Sequence, residues 1–123
     1  MGLDMFALTV RERFATADTN PDLEGVEKDE LFYWRKHPDL HGWMHRLFTE
    51  KGGVSEQGFN GDRVRVTLDD LTRLEADLDA LPHTTGFFFG ASDASDREKD
   101  VAFIAKAREA IAAGLAVYYD SWW

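Results

Sequence analysis

Residues 5–13, MFALTVRER, set Phe6, Leu8 and Val10 against Thr9, Arg11 and Arg13. A period of two marks a strand buried on one face, so Phe6, Leu8 and Val10 are predicted to face the core and the arginines to face away. Residues 15–28 are polar and carry Asn20-Pro21 and Gly25, which reads as a loop. Residues 30–36, ELFYWRK, read as a second strand rich in aromatics. The period then changes. Pro38 is preorganised for a first helical turn, and Leu40, Trp43, Met44, Leu47 and Phe48 follow at i, i+3, i+4, i+7 and i+8. That spacing is an amphipathic helix stripe, stopped by Lys51-Gly52-Gly53.

Residues 62–66, DRVRV, alternate again, with Arg63 and Arg65 against Val64 and Val66. Thr67 and Asp70 form a capping-box pattern ahead of a second helix on Leu68, Leu71, Leu74, Leu78 and Leu81, which ends before Pro82. Gly86-Phe87-Phe88-Phe89-Gly90 reads as a short buried strand or turn. Ser95 and Glu98 suggest a further capping box for a third helix with Phe103, Ile104, Ala107 and Ile111 on its apolar face and Gly114 at its end. LAVYYDSWW closes the chain as a strand. Strands and helices in this order predict an α+β fold, one domain over 1–123, with a single mixed or mainly antiparallel sheet and about three helices packed on one face.

Composition narrows this picture. The 123 residues suit one core, and 44% hydrophobic with 30% charged residues is a globular balance. Four Trp and nine Phe are more ring area than so small a core readily buries, which predicts some aromatic surface. The absence of cysteine excludes disulfides, thiolate metal sites and a cysteine nucleophile. The opening MGLDMFALTVRER has no basic segment ahead of an apolar one, so it does not read as a signal peptide, and no apolar run reaches membrane-helix length. A cytoplasmic protein is expected. Its net charge of −9 argues against direct nucleic-acid binding and fits solubility, a basic protein partner or DNA mimicry.

Met1-Gly2-Leu3-Asp4-Met5-Phe6, Tyr33-Trp34-Arg35-Lys36 with His41 and Trp43 downstream, Gly86-Phe87-Phe88-Phe89-Gly90, and Tyr118-Tyr119-Asp120-Ser121-Trp122 occur in that order along the whole chain. Together they resemble a group of small phage and prophage proteins that begin M-G-L-D-M-Y and end in a Tyr/Ser/Trp run. The resemblance implies a phage setting, and a host-cell cytoplasm, but no activity. Some members of that group carry a phosphoglycerate-kinase label. This sequence has no Gly-rich loop of P-loop type and is too short for a two-domain kinase.

Side chains with chemical potential are few. His41 and His45 stand at i, i+4 on one helix, a spacing that lacks a third metal ligand, so no metal or cofactor is expected. The serines show no nucleophile-elbow pattern. Asp69, Asp70, Glu75, Asp77 and Asp79 lie opposite the leucine stripe and read as a solvated face. Arg11, Arg13, Arg35, Arg63 and Arg65 fall on the three predicted strands. If helices cover the apolar face, these guanidinium groups would share the other with Tyr33 or Trp34, an arrangement suited to a phosphate-containing ligand or an acidic protein surface. Phe88 would offer a pocket floor, and alternation along the last strand would expose rings such as Tyr119 or Trp122. The leading expectation is a non-catalytic phage-type accessory protein that binds a host macromolecule, most readily a host protein, in a host-modulating or counter-defence role. The alternatives are a nucleotide or nucleotide-like ligand binder using the Arg/aromatic face, and a small hydrolase or metal-dependent enzyme involving His41.

Overall fold

The computed structural model describes residues 2–86 and 90–123. Strands β1 (Asp4–Arg11) and β2 (Asp29–Arg35) precede helix α1 (Pro38–Glu50). Strand β3 (Val64–Val66), helices α2 (Leu68–Asp77) and α3 (Ala94–Ala112), and strand β4 (Leu115–Trp122) follow. The strands form one antiparallel sheet in the order β2-β1-β4-β3, so the fold is α+β. The first and last strands are central and pair along their full length, from Asp4 opposite Trp122 to Arg11 opposite Leu115. No helix among the described residues is long and apolar enough to cross a membrane.

One face of the sheet carries the main core. Met5, Ala7, Trp34, Val64, Val66, Val117 and Tyr119 meet Leu40, Met44, Leu47 and Phe48 of α1, Leu71 and Leu74 of α2, and Phe103, Ile104 and Ala107 of α3. The helices have the sequence-predicted faces, because each apolar stripe has only this surface on which to leave water, except at Leu68, which opens α2 and is half exposed. Gly53 lets the chain leave α1 close to the core, since a Cβ there would lie 2.5 Å from the Phe48 ring.

The strand faces required two corrections. Predicted core positions Phe6, Leu8 and Val10 lie on the face away from the helices, whereas Met5 and Ala7 point inward. The chain after β1 explains the inversion. The loop of residues 12–28 folds back over one end of the outer face and carries Phe14, Ala15, Leu23 and Val26 onto Val10, Ala116 and Tyr118. The Tyr118 hydroxyl donates to the Ala17 carbonyl at 2.6 Å, fixing this cover. Both faces of β1 therefore bury apolar side chains. The shared arginine face fails for the same reason: by strand alternation Arg11 has the parity of Met5 and Ala7, while Arg65, paired with Tyr118, belongs to the outer face.

The cap of α3 also differs. Asp93 is the N-cap and forms a reciprocal box with Asp96, in place of the predicted Ser95 and Glu98. The Asp93 side chain already accepts the Ser95 amide, so Ser95 falls inside the helix. The predicted Thr67–Asp70 box of α2 is present. The three phenylalanines of the 86–90 motif, Phe88 among them, lie outside the described residues.

A candidate binding surface on the open end of the sheet

Because the 12–28 loop covers only one end, the other end of the outer face is open to solvent. Two rows of paired residues cross it. Tyr33, Phe6 and Asp120 form one row, and Arg35, Asp4 and Trp122 form the next. Trp122 is 66% exposed and Tyr33 43%. The Phe6 and Tyr33 rings are 5.3 Å apart and tilted by 51°, a favourable ring geometry. Phe6 and Trp122 also border a cleft of about 300 Å³ with Gly61, Asp120 and Ser121. The surface is thus a strip of rings with charged residues set among them.

The charges are already matched. Asp4 accepts a hydrogen bond from the Tyr33 hydroxyl and lies 3.9 Å from the Arg35 Nε. That hydrogen bond is the main reason the Tyr33 hydroxyl titrates above its usual range. Arg63 Nε donates to Asp120 at 3.1 Å, and one Arg65 nitrogen donates to both oxygens of Glu12 at 2.6 and 2.7 Å. Arg11 and Arg13 lie at the opposite end, around a separate cleft of about 410 Å³ that Glu27 and Asp29 also line. No single guanidinium cluster therefore assembles from Arg11, Arg13, Arg63 and Arg65.

Three other sequence candidates are interior. Trp34 is buried and donates from Nε1 to Asp100 at 3.1 Å. Tyr119 is buried on the helix side, where loss of water raises its hydroxyl well above the ordinary tyrosine range. His41, predicted at the edge of a stripe, is buried with Nδ1 2.6 Å from the Tyr119 hydroxyl. Burial, aided by nearby His45, pushes the His41 pKa down to about 3, which leaves a neutral imidazole. His45 instead stacks on Phe59 at 4.9 Å. Among the described residues no three His, Asp or Glu side chains gather as a metal site.

A second polar cluster, on the helix side, was invisible to sequence reasoning. His37, the N-cap of α1, has Nδ1 2.7 Å from Ser92 Oγ and Nε2 2.8 Å from Asp100 Oδ2. Its partners stand 55 and 63 residues away. No local spacing signals such a grouping; the only hint was a histidine just before the helix-opening Pro38.

No family model matches the chain, and neither the curated proteins nor the solved structures compared with it gave a match. Chemically, the open face can bury rings and exchange hydrogen bonds at its rim. Its arginines offer little unsatisfied charge to a phosphate.

Proposed function

We propose that this chain is an accessory protein of phage type that docks a host protein through the open end of its outer sheet face, redirecting or blocking it. The observation that carries the reading is Trp122, exposed beside Phe6 and within one strand row of Tyr33. Tryptophan and tyrosine are favoured at the centres of interfaces because they bury much apolar area while keeping a polar edge. A net charge of −9 favours a basic partner surface. The resemblance to phage and prophage proteins supports a host partner and a host-cell setting.

The nucleotide reading has weaker support, because Arg63 and Arg65 already donate to carboxylates and a phosphate would have to displace them. Quantitative capture from host lysate tests the proposal, with wild type, Trp122→Ala and Tyr33→Ala as baits. A basic protein retained by wild type is expected to fall about thirtyfold in Trp122→Ala, corresponding to about 2 kcal/mol at a hot spot. Equal capture by all three baits would remove the open face as the contact surface.

A further inference from the structure

We propose that Ser92 is a nucleophile activated by His37, with Asp100 as the positioning residue, in a site for acyl transfer on the helix side of the sheet. The inference is independent of the partner-binding face. It rests on one continuous relay: Ser92 Oγ, 2.7 Å, His37 Nδ1; His37 Nε2, 2.8 Å, Asp100 Oδ2. A serine nucleophile needs a base within hydrogen-bond reach, and the base needs a third group to set its orientation. These residues meet both requirements, whatever their order in the chain.

The burial gradient is appropriate. Asp100 is 1% exposed and His37 2%, whereas Ser92 is half-buried. Asp100 is held from both sides, because Trp34 Nε1 donates to its other oxygen at 3.1 Å. A carboxylate acceptor at Nε2 keeps the proton on that nitrogen and leaves the Nδ1 lone pair for the serine proton. Asp96 Oδ2 stands 3.6 Å from Nδ1, on the side of the ring that faces Ser92. The other charged groups are turned elsewhere: the Asp39 carboxylate accepts from the Thr84 amide and lies 3.5 Å from His83, and Lys99 reaches toward Asp96 at 3.9 Å. The Asp39 amide donates to Ser92 Oγ at 3.2 Å, a contact that holds the hydroxyl in place against the imidazole. Capping α1 accounts for that last contact. It gives no reason for an imidazole bridging the same hydroxyl to a buried carboxylate.

The substrate class is a small activated acyl compound, such as an ester. Ser92 Oγ would bond to the acyl carbon while its proton passes to His37 Nδ1. The carbon–oxygen bond to the alcohol then breaks, and the alcohol leaves with that proton. Water repeats the sequence on the acyl-serine, releasing the acid and restoring the hydroxyl.

The cysteine-free sequence makes the test clean, because Ser92→Cys introduces the molecule's only thiol. Its alkylation by iodoacetamide, followed against pH by mass spectrometry, is expected to report a thiol at least one unit below the ordinary value of about 8.5. That is roughly tenfold more thiolate near neutral pH. Adding Asp100→Asn, which keeps shape and removes charge, is expected to raise the thiol's pKa again, an effect that a purely structural contact would not produce. Wild type is expected to take one fluorophosphonate adduct, on Ser92, which Ser92→Ala lacks. A thiol at or above 8.5, a pKa indifferent to Asp100→Asn, or no adduct on wild-type Ser92 would each overturn the proposal.

Discussion

A histidine sealed in an apolar core makes folding sensitive to acid, and His41 is such a residue. Rings of Phe59, Tyr119 and Trp123 lie within 5.1–5.9 Å of its imidazole, and its folded pKa near 3 is far below the free value of 6.5. As pH falls through 6.5 the unfolded chain takes up a proton here and the folded chain does not, so stability is lost below 6.5 and unchanged above it. The slope approaches about 1.4 kcal/mol per pH unit, or about 2 kcal/mol between pH 7 and pH 5. Urea denaturation of wild type and His41→Gln at those two pH values measures it. The variant, neutral throughout, is expected to be less stable at pH 7 yet to lose about 2 kcal/mol less on acidification. An equal loss in both proteins would mean that the folded imidazole takes up a proton as readily as the unfolded one. The sequence placed His41 at the edge of the α1 stripe, because a helical wheel registers only the helix's own residues. It was β4, through Tyr119, that closed over the ring.

Caps and strand parity carry the same lesson at the scale of elements. The Thr67 box was legible because both members lie within four residues, and the Lys51 ammonium reinforces it by donating to Asp70. The start of α3 was predicted at Ser95 with Glu98, because Glu is the preferred third residue of a box, whereas the structure uses Asp93 with Asp96, two residues earlier. The burial of Asp96 beside His37 favours the earlier one. Asp93→Ala is therefore expected to lower stability by about 1 kcal/mol, while Ser95→Ala changes it by less than about half that. Thermal melts of the two variants check this; a larger loss at Ser95 would restore the later start. The helices could be read because each has one apolar stripe. β1 could not, because its two faces are both apolar, and larger Phe6 and Leu8 were a poor guide once the 12–28 loop supplied a second covering layer.

The closing strand joins these levels for the molecule as a whole. β4 lies between β1 and β3, so the end of the chain is central to the sheet, and its last two residues divide between structure and surface. The sequence required the two rings to point to opposite faces, but assigning the faces needed the register that pairs Asp4 with Trp122. Trp122 falls on the open face. Trp123 packs against the core, 5.2 Å edge-on to His41, and its backbone is clasped by Asn60, which accepts from the Trp123 amide at 3.1 Å and donates to its carbonyl at 3.2 Å. The Gly61 amide donates to the Ser121 carbonyl at 2.7 Å, so the segment before β3 is tied to the same tail. Removing the Trp123 ring takes packing from the core and from this clasp together, with an expected loss of about 2 kcal/mol or more. Trp122→Ala removes a ring that is mostly in water and is expected to change stability by less than about 0.5 kcal/mol. Parallel chemical denaturation of the two variants gives the comparison. A loss in Trp122→Ala as large as that in Trp123→Ala would make the exposed ring part of the fold's own support, and its availability to a partner would have to be abandoned.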